Sequence, residues 1–208
     1  AHAGAPRYAN GKDLLFYEQT WPYLLQKKLV NTKVLQISIG HATTDDILAQ
    51  CPYWKPFNPN VVIIQAGLND VLPRALHRHE IELCKRYFFG KYIYKVIRKY
   101  DLKIRKLRNI QYNNDYKIKN NQKKILQYFP NSLWISPICN SEEKIRRFPN
   151  VHDKIENFNR LTKNIYKNKF IYLNYIPKNF YQDDSFHLNY KGHDFIYKKI
   201  LQKFLTLY

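Results

Sequence analysis

Long apolar runs are missing from this 208-residue chain. None approaches the roughly 20 residues that a membrane-spanning helix requires. The opening AHAGAPRYANGKD has neither the charged start nor the apolar centre of a secretory signal. A cytoplasmic setting is therefore expected, with a periplasmic one left open should the chain belong to a longer protein. Cysteine is scarce: Cys51, Cys84 and Cys139 stand far apart without a Cys-x-x-Cys pair, which argues against a disulfide framework and suits small buried hydrophobes. No internal repeat or low-complexity linker divides residues 1–208, and 45% hydrophobic content suffices for a core, so one domain is expected.

Negative charge is also in short supply. Sixteen acids face 35 Lys and Arg, a formal net charge of +19, and such an excess sets a positive potential over much of the surface. Nucleic acid, a membrane face or an acidic glycan would each answer that potential. Abundant Lys, Asn, Ile and Tyr together also fit the codon usage of an AT-rich genome, so charge alone names no partner. No nucleic-acid recognition motif accompanies it, and no nucleic-acid partner is expected.

What the chain does contain is strand and helix in alternation. KVLQISIG (33–40) and NVVIIQAG (60–67) are continuous β-branched runs ending in glycine, the pattern of parallel strands buried on both faces. Between them TTDDILAQC offers Thr43 or Thr44 as a helix N-cap with acids in the first turn. SLWISPI (132–138) and FIYLNYIP (170–177) repeat the strand pattern. The segment 151–168 between them sets Ile155, Phe158, Leu161 and Ile165 at helical spacing. This order predicts an α/β fold: a three-layer, open, mostly parallel sheet flanked by helices. The basic stretch 77–129 reads as two helices separated by QYNNDYKIKNNQKK, with its Lys and Arg on a solvated face.

Ligands of open α/β sheets bind beyond the carboxyl ends of the strands, and the residues there are chemically apt. Gly40 to Thr44 follow the first run, Gly67-Leu68-Asn69-Asp70 the second, and Asp184 and His187 the last. Acyl transfer at an ester needs a histidine to take a proton from a hydroxyl and an aspartate to fix its tautomer. It also needs donors for the oxyanion of the tetrahedral intermediate. The Asp-x-x-His spacing can join Asp184 to the Nδ1 of His187, and a glycine N–H with the Asn69 amide suits the oxyanion.

In these residues the chain resembles the SGNH (GDSL-type) hydrolases. Gly40, the block Gly67-Leu68-Asn69-Asp70, the block Asp184-Ser185-Phe186-His187 and the Gly-His that opens the last helix match the family's order over about residues 20–205. The resemblance implies a catalytic pair Asp184 and His187 and an oxyanion hole of Gly40 and Asn69. It implies an SGNH or flavodoxin-like layering and no cofactor. TWPYLLQKKL (20–29) and NDVLPRAL (69–76) are similar to a subset of bacterial surface-polysaccharide enzymes. That similarity implies an acylated, most simply acetylated, carbohydrate as substrate, with Arg74, and with it Arg7, either on the substrate side or bracing the site; His41, which follows the oxyanion glycine, is expected to line the pocket, and the basic charge would suit an anionic substrate.

The family's nucleophile stands in a Gly-Asp-Ser block, and no such block occurs in these residues. APRY (5–8) is similar to the residues just after that block in the polysaccharide subset, and counting back from Pro6 reaches His2. A strand and serine preceding Ala1, an altered start and a catalytically inactive descendant are the alternatives, the first being the expectation. Among the serines present, Ser38 and Ser136 fall inside expected strands, Ser132 at a strand start and Ser185 too near His187. Ser141, after a strand end, is the least ill placed.

His193 reads as a structural residue at the start of the last helix. His77 and His79, two apart on a helix with no cluster to complete a site, give no metal centre. The leading expectation is a serine esterase or O-acetyltransferase of this type. Its rival is an inactive SGNH-like domain that binds a glycan or a protein.

Overall fold

Alternating apolar side chains give the central strands two buried faces, and the helices sort themselves by the face they cover. The computed structural model describes residues 15–137, 142–148, 150–182 and 187–207. Along the chain run α1 (Trp21–Lys28), α2 (Thr44–Trp54), β1 (Val62–Gln65), α3 (Leu68–Val71), α4 (Arg78–Arg86), α5 (Gly90–Lys99) and α6 (Asp101–Arg108). Then come α7 (Asp115–Tyr128), β2 (Ser132–Ile135), α8 (Glu142–Arg147), α9 (Val151–Tyr166), β3 (Phe170–Ile171) and α10 (Tyr190–Leu207). The strands form a parallel sheet in the order β1-β2-β3, with Val62 opposite Ser132 and Trp134 opposite Phe170.

On one face Ile63, Leu133, Ile135 and Ile171 meet Trp21 and Leu25 of α1 and Ile196 and Ile200 of α10. On the other, Ile64, Trp134 and Phe170 meet Cys51 of α2, Ile118 and Ile125 of α7 and Phe158 and Tyr166 of α9. This is the expected three-layer α/β arrangement, a sheet with apolar residues directed both ways and helices on each side. Trp134 is fully buried, and its indole N–H donates to the Ala66 carbonyl at 3.2 Å, which satisfies the one polar atom of the largest core side chain.

Several elements differ from the sequence expectation. Residues 33–39 are not a strand, and Leu35 and Ile37 are 58% and 45% exposed. A β-branched run becomes a strand only beside a chain that takes up its backbone groups, and the sheet of the described residues ends at β1. Gln26 binds this stretch instead, accepting the Val34 N–H and donating to the Thr32 carbonyl. The run 170–177 pairs only over Phe170–Ile171, although the Leu173 N–H continues its contact with β2 by donating to Ser136 Oγ at 2.9 Å. The basic stretch forms four helices rather than two. Asn114 caps α7 by accepting the Lys117 N–H at 2.9 Å, so much of the expected polar break is helical.

The cap of α2 is Thr43, whose N–H and Oγ1 donate to Asp46 at 2.7 and 2.8 Å. In α9 the buried stripe runs through Ile155, Phe158, Thr162 and Tyr166, with Leu161 and Ile165 only half-buried. Cys51 is a buried free thiol, its pKa pushed up to about 11 by burial; Cys84 is free and half-buried, and Cys139 lies outside the described residues.

His193 has the structural role expected of it. Its Nδ1 accepts the Trp21 backbone N–H at 3.3 Å, and burial pushes its pKa down to about 4. In the unfolded chain the same ring titrates near 6.5, so between these values the unfolded state binds the extra proton. Stability attributable to the neutral ring is complete above about pH 6.5 and is lost as pH falls towards 4. Urea unfolding should show a loss on the order of 3 kcal/mol across this window, and His193→Asn, which keeps an acceptor but cannot charge, should remove most of that slope.

Candidate functional site

Because the strands are parallel, their carboxyl ends share one edge, and the chain leaving β1 turns there. Gly67 has φ +117°, and a Cβ on it would stand 2.2 Å from a ring carbon of Phe158. Only glycine fits both the left-handed backbone and the close approach to α9. The turn leads into the short α3, where Asn69 is half-buried and Asp70 wholly buried.

Asp70 is the hub of a buried polar network. Its carboxylate accepts the Thr44 backbone N–H at 3.0 Å, the Thr44 Oγ1–H at 2.6 Å and an Asn113 amide N–H at 2.8 Å. Asn121 donates to Thr44 Oγ1 at 3.1 Å and to Asp45 at 2.8 Å. The Asp70 carbonyl also accepts from the N–H of Tyr112 at 3.2 Å. Burial raises the Asp70 pKa, while the Thr44 and Asn113 donors act in the opposite sense by favouring the carboxylate. Thr44 opens α2, so this carboxyl group fastens the loop bearing Gly40, His41 and Ala42 to the turn bearing Asn69.

Gly40 and His41 are exposed in a turn closed by the Ala42 N–H donating to Ile39 O at 3.4 Å, and His41 has φ +57°. The His41 carbonyl accepts from Arg78 Nη2 at 3.2 Å. Arg78 also forms a two-pronged ion pair with Asp46, at 3.0 and 2.7 Å, and holds the Asp46 pKa down to about 2. Asn69 Nδ2 lies 3.4 Å from the Ala42 carbonyl, so its amide reaches the same turn.

The direction of that amide is set by Arg74, whose Nη2 donates to Asn69 Oδ1 at 2.8 Å. With the oxygen so engaged, the NH2 group is turned away as the donor. Arg74 itself lies over the Tyr112 ring at 4.8 Å, with Arg78 over the same ring at 5.1 Å. Burial lowers the Arg74 pKa, and among the described residues no carboxylate pairs with it. Its side chain thus braces Asn69.

His187 is half-buried, and Asp184 lies outside the described residues. The stem around them is firmly built: Tyr181 bridges Leu188, the Gln182 N–H donates to the His187 carbonyl at 2.7 Å, and the Asn189 N–H to the Phe180 carbonyl at 2.9 Å. Trp21 ties the last helix to the sheet edge. Its indole N–H donates to Gln65, the last residue of β1, at 2.9 Å, while its backbone meets His193 in α10. Gly192, where a Cβ would come within 2.5 Å of the Phe180 carbonyl oxygen, lets the helix start that close to the stem.

Ser136 is buried just beyond β2, and its Oγ is occupied by the Leu173 N–H; Ser132 is buried at the start of β2, away from the carboxyl edge. Ser141 and Ser185 lie outside the described residues. The rings of His77 and His79 stack at 5.4 Å instead of facing apart, because His77 is the N-cap outside the regular turn. No cluster of three His, Cys, Asp or Glu stands among the described residues.

Sequence reasoning singled out Asn69 and the Gly40 loop but missed what joins them. Asp70 was visible only as the last letter of its block, and Thr44 only as an alternative cap. Asn113, Asn121 and Arg78 carried no signal, since their pairing depends on chain reversals far from the site.

No protein-family model matches the chain, and no curated protein matches it by sequence. Solved structures do resemble it. TesA superposes with a TM-score of 0.59 at 16% identity, covering 97% of this chain and 94% of that one. The psychrotrophic esterase EstA from Pseudoalteromonas sp., in a structure inhibited by monoethylphosphonate, gives 0.57 at 14% identity over 91% and 88%. LAE5, an alpha/beta hydrolase enzyme from the metagenome of Lake Arreo, gives 0.59 at 12% identity over 97% and 88%. At these identities the likeness is one of fold.

Gly67→Ala should cost more than about 2 kcal/mol, since it combines a left-handed backbone with a clash against Phe158. The check is the urea midpoint, with Gly90→Ala unsuitable as a comparison because its Cβ would also meet backbone, at 2.3 Å from the Cys84 carbonyl oxygen.

Proposed function

We propose that this chain is an SGNH-type serine ester hydrolase or acyl transferase acting on an acylated carbohydrate. The observation that carries the reading is the Asn69 carboxamide, its oxygen held by Arg74 and its NH2 directed to the turn that contains Gly40. Two donors borne on loops fastened through a buried carboxylate are preorganised for an oxyanion, which is where such a site gains most over water.

In this reading a serine hydroxyl attacks the acyl carbon, and His187 takes its proton and returns it to the departing sugar oxygen. Asp184 fixes the imidazole, and Asn69 with the Gly40 N–H meets the oxyanion. Water as the second acceptor gives hydrolysis, and a sugar hydroxyl gives transfer. Exposed Tyr and Phe rings suit a sugar face, and the net charge of +19 suits an anionic glycan. The fold shared with the esterase EstA is compatible with this chemistry.

A second reading has an observation of its own. Ser136 is buried, with its Oγ accepting the Leu173 N–H, and Ser132 sits at the opposite end of β2. A non-catalytic domain that retains the pocket for glycan binding accounts for that as well.

The test is turnover of p-nitrophenyl acetate by the full-length protein. Asn69→Ala should lower kcat by about 10² to 10³, and His187→Ala by about 10² to 10⁴. Equal rates in wild type and His187→Ala would remove the histidine from catalysis. No turnover combined with saturable binding of an acetylated glycan would favour the second reading.

A further inference from the structure

The helices α4 to α6 half-bury Ile81, Cys84, Ile97 and Ile104 but leave many other apolar residues uncovered. Within residues 78–108 the exposed large hydrophobics include Tyr87, Phe88, Phe89, Tyr92, Ile93 and Val96, and Leu107 ends the series. Phe88 and Phe89, at the turn between α4 and α5, are 76% and 74% exposed and cross edge-to-face at 5.5 Å. Adjacent rings that open to solvent form a convex knuckle, not a groove. Exposed patches of this kind on a folded chain mark interaction surfaces.

The charges around the knuckle are almost all of one sign. Residues 78–108 hold eleven Lys and Arg and three acids. On α5 the cations Lys91, Lys95, Arg98 and Lys99 share one arc, while Phe89, Tyr92, Ile93, Val96 and Tyr100 share the next. Tyr94 and Ile97 are half-buried, and the principal packing partners of α5 are α4 and α6. A basic arc flanking an exposed apolar arc is the pattern of a helix that lies in a lipid interface, rings among the acyl chains and cations at the headgroups.

We propose that the α4–α6 face docks on an anionic lipid surface. Charge decides among the occupants. A second copy would bring the same positive excess against itself. A soluble polyanion would meet the cations, and a sugar face the rings, but either would leave the aliphatic Ile93 and Val96 in water. An anionic bilayer answers both features, and a convex knuckle needs no complementary pocket in it. The protein lies on the surface: no helix among the described residues is long and apolar enough to cross a membrane. Arg78 fastens the start of this excursion to Asp46 of α2 at 2.7 Å, and Arg108 fastens its end to the Ala75 carbonyl at 2.9 Å, so docking orients the body of the fold as well. The inference is independent of the ester chemistry.

The test is co-sedimentation of the full chain with phosphatidylcholine vesicles, with and without phosphatidylglycerol. Binding should require phosphatidylglycerol and weaken steeply as salt is raised towards ~0.5 M. Phe88→Ser with Phe89→Ser should weaken it at least about tenfold, and Lys95→Glu with Arg98→Glu should do so comparably. Both pairs are exposed, and unchanged thermal unfolding verifies that the fold is kept. In a Phe88→Trp variant, indole emission should shift to shorter wavelength only with the anionic vesicles. Failure to sediment with phosphatidylglycerol vesicles at low salt would overturn the proposal. So would binding that the phenylalanine pair leaves unchanged, which would identify a general polyanion site. A dimer in solution that shields the introduced indole without lipid would identify a protein partner instead and equally refute it.

Discussion

A single buried carboxylate holds the candidate site in shape. Asp70 has no contact with solvent, yet it gathers donors from Thr44 at the head of α2 and from Asn113 after the helical excursion. Removing either side of such an arrangement leaves buried polar groups without partners, at about 1–3 kcal/mol each and more for a charge. The Gly40 turn and the Asn69 turn are far apart in sequence, and neither has a regular ladder to fix it. Their spacing is therefore set by hydrogen bonds, chiefly those to Asp70 with the Asn69 amide reaching the Ala42 carbonyl beside them.

Around that hub the positively charged residues divide into two kinds. Arg74 and Arg78 are structural: both lie over Tyr112, one directing the Asn69 amide and the other tying the His41 carbonyl to Asp46. Lys91, Lys95, Arg98 and Lys99 of α5 face solvent beside exposed rings. Composition alone counts these groups together, although their surroundings give them different physics. A guanidinium engaged by an amide and an aromatic face is a fixed part; an ammonium on a four-carbon stem over water is free to follow an external charge.

The layering was legible because it rests on local signals. Apolar runs at 62–65 and 132–135, alternating between two faces, and the periodic stripe of α9 suffice to predict helices on both sides of a parallel sheet. The same signal failed at 33–40, where an apolar run has no described strand beside it, since a strand is a property of a pair of chains. It failed differently in α4 to α6, where helical spacing correctly foretold helices but not that their apolar faces stay exposed. At the site, Asn69 and the glycine turn were readable as residue types in a pattern. The Asp70 network was not, because Thr44, Asn113 and Asn121 acquire their roles only when α2 and α7 are packed against one another.

The central claim is that the Asp70 carboxylate joins the two loops energetically, and a double-mutant cycle between Thr44→Val and Asp70→Asn, read by urea unfolding, tests it most directly. A charge-assisted contact of 2.6 Å in a buried site should give a coupling free energy of at least about 1 kcal/mol. Effects that add to within about 0.5 kcal/mol would mean that the two side chains act separately, and the clamp that aligns the site would not exist.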